Sequence, residues 1–345
     1  MKTKLKEFVN KNRYTTILIC LLVAVLVFFT VMKGERFWLG SLWKGMLMQF
    51  PEYGCMTLGL MFVFICGKHD MSAVLLGNFA SIIAVKFMAA NVTEGMPNSQ
   101  IGGIIMVAIL IAIAIAVIGG IINALLVSRL NIPPVMATIA MQLVWKGFST
   151  ALTRGYAVGG LPALYTKIGH TELFGFLPVP LIVFIVLFAI AAFLLKFTVY
   201  GEKLYMVGNN QKAAHFSAIN THRMITITYI LSAVYSVIGV LLMVSTMGSA
   251  KADYGTSYIT RAILILVLAG CLPDGGMGKI SDILIALVTI QIIATGVNLF
   301  PNLNTYYASL IWGGLLVVVL IMSTKMTGSA PKKVKAPKKA PQKAA

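Results

Sequence analysis

A chain of 345 residues with 59% apolar and only 11% charged side chains cannot present an ordinary water-facing surface. The two soluble domains that length alone would suggest give way to a membrane protein. The charge is strongly basic, 28 Lys and Arg against 10 Asp and Glu, but these residues bunch in the two tails and in alternate loops, which is the positive-inside pattern and not a nucleic-acid-binding face.

The N-terminal segment 1–13 carries Lys2, Lys4, Lys6, Lys11 and Arg13 against Glu7 and is expected in the cytoplasm, so the first span, 14–32, runs outward. No small-x-small cleavage site follows at Lys33, which makes this span a retained anchor. In 37–50, Trp38, Leu42, Met46 and Phe50 recur at four-residue steps, predicting a helix along the outer interface. Spans two (53–66) and three (71–90) are short. Gly67, Lys68, His69, Asp70, Met71 and Ser72 between them predict a broken helix pair turning near the cytoplasmic side. His69 and Asp70 read there as a solvated turn and not as a proton relay.

After a polar outer loop, span four (101–127) returns the chain inside. Pro133 ends that excursion, since the residue before a proline leaves the helical region, and Pro134 suits the first turn of the next helix. Span five (135–152) contains Lys146. A charge at the bilayer centre costs about 2.5–3.5 kcal/mol on insertion scales, so Lys146 must pair, snorkel outward or face a cavity, the last making it a candidate for the translocation path. Span six (178–197) leads to the longest polar stretch between spans, YGEKLYMVGNNQKAAHFSAINTHR over 200–223. It predicts a coupling helix over about 209–220, capped by Asn209 or Asn210. Ala213, Ala214, Ser217 and Ala218 fall on one smooth arc, with Phe216 and Ile219 opposite as anchors, which suits docking to a partner.

Span seven covers 224–247 and an outer loop covers 248–257. Span eight (258–271) is followed by the turn Pro273-Asp274-Gly275-Gly276-Met277-Gly278-Lys279. This fails as a phosphate loop, because Ile280 follows Lys279 and Pro273 stands where the first Gly is required. Spans nine (281–299) and ten (305–323) complete an all-α membrane domain, 14–324, of about ten transmembrane helices with both termini cytoplasmic. The tail 325–345, rich in Pro, Lys and Ala, is expected to be disordered and to touch anionic lipid. Cys20, Cys55, Cys66 and Cys271 stand singly, as packing residues do, and no metal site is expected. Spans two to five and seven to ten start from opposite sides, which permits an inverted repeat with Gly67-x-x-Asp70 and Gly270-x-x-x-Asp274 at corresponding turns.

Gly201, Tyr205, Gly208, Asn210, Ala213, Ala214, Ser217 and Ile219 resemble the G-x-x-x-Y-x-x-G-x-N-x-x-A-A-x-x-S-G-I segment of permease subunits from bacterial ABC importers of the ribose and galactose type, with Ala218 in place of Gly. Gly67, Asp70 and Ser72 match the G-G-x-D-L-S turn of the same family, and Asn123 through Pro133-Pro134 and Ala137-Thr138 match its I-P-P-x-x-A-T stretch. The Gly275, Gly276 and Gly278 turn also has a counterpart. The resemblance implies a type II ABC importer-like permease fold in the bacterial plasma membrane. It further implies a dimer with a second permease subunit, a separate ABC ATPase holding ATP and Mg²⁺ and receiving the coupling helix, and an extracytoplasmic solute-binding protein. Where the family reads G-Y-E-L-D-A-I, this chain has Tyr258-Ile259-Thr260-Arg261-Ala262-Ile263, so Arg261 joins Lys146 as a candidate for the translocation path.

No carboxylate falls in the middle of an expected span, Glu52, Asp70 and Asp282 all standing at span ends, so ion-gradient coupling has no obvious seat. The chain carries no Walker sequence, H-E-x-x-H or nucleophile elbow, hence no catalytic residue and no cofactor of its own. The expected function is ATP-driven import of a simple sugar or similar small polar solute, with a nucleoside or sugar-like signalling molecule as the alternative cargo. A secondary carrier or facilitator is the alternative mechanism, separable by whether neighbouring genes encode an ATPase and a binding protein.

Overall fold

A computed structural model describes residues 13–327 apart from 94, 174, 176 and 301–305. The helices in chain order are α1 (Arg13–Lys33), α2 (Gly40–Ile65), α3 (Ala73–Asn91), α4 (Asn98–Ser128), α5 (Pro134–Thr153), α6 (Ala163–His170), α7 (Val179–Lys196), α8 (Val199–Asn209), α9 (Gln211–Phe216), α10 (Thr221–Met247), α11 (Thr256–Leu268), α12 (Ile280–Val297) and α13 (Tyr306–Thr327). The strands β1 (Glu172–Leu173) and β2 (Leu177–Pro178) form a small antiparallel hairpin. Seven helical segments are long and apolar enough to cross a membrane. The chain is a multi-pass, all-α membrane protein. The expected N-terminal tail lies outside the described residues up to 12, and the basic tail does so from 328 onward.

Helices α2 and α10 form the centre. Every residue of α2 from Phe50 to Ile65 is buried, and the two helices approach closely through small residues. A Cβ at Gly239 of α10 would lie 2.6 Å from the Glu52 carbonyl oxygen, and one at Gly59 of α2 would lie 2.7 Å from that of Ser232. Around this pair α4 packs through Ala108, Ala112 and Ala116, all fully buried.

Three expectations give way. The interfacial helix over 37–50 and the second span are one continuous helix, α2, of 26 residues; at 1.5 Å per residue it is about 39 Å long. Pro51 lies inside it, so Glu52 is a mid-helix carboxylate and not one at a span end. The turn 66–72 is not solvated, because it folds beneath α10 and Asp70 is only 2% exposed. Finally, the loop after α10 dips into the bundle. Asn78, in the second turn of α3, donates from Nδ2 to the carbonyls of Ala252 (3.1 Å) and Tyr254 (2.7 Å), supplying partners that irregular backbone needs at membrane depth. In consequence α11 has only 13 residues, about 20 Å, and is too short to cross alone.

Candidate functional site

The polar stretch 200–223 folds as two short helices at the side carrying the Lys- and Arg-rich loops. Thr198 Oγ1 accepts from Gly201 N at the start of α8, and Asn210 Oδ1 accepts from Lys212 N and Ala213 N at the start of α9, both at 3.0 Å. Of the two candidate caps it is thus Asn210 that serves. At the other end Ile219 N donates to Ala214 O and Ala218 N to His215 O, 3.1 Å each, the paired bonds of a Schellman turn. Such a turn places one residue in the left-handed region, here Ala218 at φ 60°, and seats the next apolar residue against the helix it ends. The A-A-x-x-S-A-I spacing is the sequence of this turn.

The turn decides which residues face out. Ala214 and Ile219 are 4% and 8% exposed, whereas Phe216 is 89% exposed and Ala213, Ser217 and Ala218 are exposed around it. The expected division therefore changes: Ala214 belongs to the inner face with Ile219, and Phe216 is the outward apolar group. A Schellman turn reverses the chain within one residue, so the helical 100° step does not carry through to Ile219. Asn210 is exposed and Gly208 is buried.

Gly208 lies where three backbones meet. A Cβ on it would fall 1.8 Å from the Ile65 carbonyl oxygen, and one on Gly275 would fall 2.5 Å from Gly67 N and Cα. Gly276 N donates to Ile65 O at 2.8 Å, and Tyr205 OH donates to Gly278 O at 2.7 Å. The end of α8, the turn 66–72 and the turn 269–279 thus meet backbone to backbone at these glycines, with the Tyr205 hydroxyl as a side-chain tie. Gly67, Gly208, Gly275 and Gly276, singled out from separate motifs, come together here.

Asp70 and Ser72 lie deeper in the same turn. Asp70 Oδ1 accepts from Ser72 N (3.0 Å) and Ser72 Oγ (2.8 Å), and its Oδ2 accepts from Ser232 Oγ (3.2 Å) of α10. Asn123 Nδ2 donates to Ser72 Oγ at 2.7 Å, tying in α4. Burial pushes the Asp70 carboxyl above its usual range, opposed by the Ser72 and Ser232 hydrogen bonds. Burial likewise holds the neighbouring His69 below its ordinary value, with Asp274 opposing. Pro133 and Pro134 stand as N-cap and first residue of α5.

On the opposite side a cavity of about 370 Å³ opens between α2, the end of α10, α11, α12 and α13. Arg261 lines it, but Lys146 does not. Lys146 is exposed on α5, because its neighbour Trp145 turns inward to stack on Phe79 at 5.4 Å and the next residue must then point away. Lys86, on α3, donates from Nζ to the Leu152 carbonyl at the end of α5 at 2.7 Å. Sequence reasoning missed Glu52, Tyr258 and Trp312 in the cavity wall. The available signal was the pair Pro51-Glu52 between two apolar runs, which marks an acid inside one long helix once the runs are joined.

Residues 43–320 match the family described as branched-chain amino acid transport system / permease component. The chain is 29% identical over 280 residues to the autoinducer 2 import system permease protein LsrD of Yersinia pseudotuberculosis serotype O:1b, covering 79% of this chain and 80% of that protein. It has the same identity and coverage with the LsrD protein of Yersinia pestis strain Pestoides F. No solved structure matches it.

Proposed function

The chain belongs to the permease component family of branched-chain amino acid transport systems, and on that premise we propose that it is the membrane subunit of an ATP-driven importer, moving a simple sugar or similar small polar solute inward by alternating access. The observation that carries this is the docking turn: an exposed Phe216 on a doubly capped helix, backed by a glycine junction to two buried turns. The rigid mounting holds that phenyl ring in one place for a partner subunit to receive, with little side-chain or loop ordering left to be done on binding. In this reading α9 is the coupling helix of a non-enzymatic subunit, and ATP and Mg²⁺ are held by a partner ATPase. A second permease, an extracytoplasmic solute-binding protein and membrane lipid complete the assembly in the bacterial plasma membrane, with both termini cytoplasmic. Taking α2, α11 and α13 with the seven apolar segments gives about ten membrane-embedded helices. The turn 66–72 after α2 and the loop 248–255 after α10 are irregular segments drawn into the bundle from opposite sides, which supports an inverted repeat. The names of the relatives favour a sugar-like signalling molecule among the cargoes.

Co-expression with a candidate partner ATPase, followed by purification on the permease, tests the docking turn. Phe216→Asp and Ser217→Trp should each abolish co-purification while the permease remains in the membrane; unchanged association with both would refute it. A second mechanism, coupling to an ion gradient, is favoured by one observation, the mid-helix Glu52. Proteoliposomes decide between them. Accumulation with ATP and no ion gradient supports the importer, and uptake by the permease alone under an imposed proton gradient supports the carrier.

A further inference from the structure

At the side carrying the Lys- and Arg-rich loops, the end of α4 and the start of α10 enclose a basic groove. The two helices touch backbone to backbone nearer the middle of the bundle, where a Cβ on Gly120 would lie 2.8 Å from Ile230 Cα. Toward their inner ends a pocket of about 240 Å³ opens between them. Arg129, which ends α4, lines it together with His222 and Arg223 from the first turn of α10, and all three side chains are exposed. Among the described residues the ion pairs are Lys44 with Glu172 and Lys251 with Asp253, so neither arginine has a carboxylate partner. Arg223 also stands where a cation is unfavourable, at the positive end of the α10 dipole, and Asn220 Oδ1 already accepts from its backbone N–H at 3.0 Å. The helix gains nothing from the guanidinium there. The positive-inside bias asks only that charge lie on this side of the membrane, not that arginines from two distant segments converge on one concavity.

The α4 wall continues outward as a track. Ile118, Ile121 and Leu125 are 57%, 37% and 47% exposed and lead to Arg129 at steps of three and four residues, so one helix face is apolar along its length and cationic at its inner end. Across the pocket Ile227 adds an apolar wall one turn beyond Arg223. A soluble phosphate matches only the head of such a site, whereas a molecule with an anionic head and a hydrocarbon tail matches all of it. We propose that this groove binds an anionic phospholipid of the inner leaflet, its phosphate held between Arg129 and Arg223 and an acyl chain laid along Leu125, Ile121 and Ile118. Basic pockets between membrane helices on the cytoplasmic side suit such headgroups, and the fixed fork of a guanidinium meets two phosphate oxygens at once. A volume of about 240 Å³ equals roughly eight waters at about 30 Å³ each, the scale of a phosphoglycerol headgroup. Asn220 lines the groove and directly follows Ile219 of the docking turn, so a bound headgroup braces the link between α9 and α10. The lipid site goes beyond the importer reading, and only this bracing role rests on it.

Native mass spectrometry of the purified full chain, delipidated in a non-ionic detergent, tests the site with phosphatidylglycerol against phosphatidylcholine of the same acyl chains. Glycerol phosphate serves as the soluble competitor. Phosphatidylglycerol should be retained about tenfold more tightly than phosphatidylcholine, as two arginines at an anionic headgroup imply, and an equal concentration of the competitor should not displace it. Arg129→Gln combined with Arg223→Gln should abolish the preference. Lys196→Gln, which removes an exposed cation at the end of α7 on the same side, should leave it unchanged. Leu125→Glu puts an acid into the exposed wall while keeping both arginines; it too should abolish the preference, and it serves if the double variant does not elute as a single species. The proposal is overturned if the wild type retains both lipids equally, or if the preference survives in the double variant or, in its place, in Leu125→Glu. It is also overturned if Lys196→Gln lowers the preference as far, the sign of a general charge effect, or if glycerol phosphate displaces the lipid, which would make the ligand a soluble anion. Neither ATPase nor transport enters the measurement, so failure here leaves the importer reading intact, and failure of ATPase docking leaves this result standing.

Discussion

Ala218 adopts a left-handed backbone that costs a residue with a Cβ about 1–2 kcal/mol, and the closing position of a Schellman turn is where glycine is usual. Ala218→Gly should therefore stabilise the docking turn by about 0.5–1 kcal/mol, the relief of strain less the extra freedom glycine has when unfolded, read as slower hydrogen exchange at the Ile219 amide. Ala214→Trp, by contrast, should unfold the turn, because Ala214 is buried against the body. Asp70 gives a pH prediction. Its carboxyl titrates above its unfolded value, so the folded protein binds the extra proton and the group's stabilising contribution is full at acid pH. That contribution is lost as pH rises from about 4 through the raised value. Asp70→Asn should flatten this slope in thermal unfolding across the acid range, and an unchanged slope would locate the effect elsewhere. The Gly67, Asp70 and Ser72 turn was legible in the sequence as a type. Its burial was not, since Lys68 and His69 beside it read as water-facing until Ser232 and Asn123 are brought from elements far along the chain.

At the scale of elements, hydropathy placed the helices well and their ends less well. The Pro51-Glu52 pair splits α2 in any apolar count; inside the helix Pro51 forgoes one hydrogen bond and crowds the carbonyl four residues earlier, at about 3 kcal/mol, and the close packing of α2 on α10 offsets this. The dip of 248–255 was hidden for a related reason: its polar residues look like an outer loop, and the partner that makes burial possible, Asn78, sits in a helix that is otherwise ordinary. Removing that partner leaves the buried Ala252 carbonyl unsatisfied, at about 1–3 kcal/mol, and the part-buried Tyr254 carbonyl at less. Asn78→Ala should accordingly lower the thermal unfolding temperature and open the segment to protease from outside. Retention of both stability and protection would mean that other groups hold the loop. Lys86 is a smaller case of the same kind, its ammonium closing the carbonyl end of α5.

At the scale of the molecule, the docking turn on one side and the cavity on the other are linked through α2 and α11, whose inner ends run into the turns that meet at Gly208. Gly208→Ala would place a methyl group inside the Ile65 carbonyl. The junction must then part, and the expected outcome is a permease that still retains its ATPase, and still permits ATP hydrolysis, with transport reduced at least tenfold. Equal loss of ATPase binding would show that the junction only holds the turn in shape. The contact has a mechanical consequence. Backbones in van der Waals contact have no rotamers through which to yield, so a push on α9 arrives at the two turns almost undiminished, as through a solid strut. A pull on α8 and α9 is resisted by hydrogen bonds from flexible side chains, Tyr205 OH to Gly278 O and Lys68 Nζ to Gln211 Oε1, so among these contacts the joint is stiffer in compression than in tension.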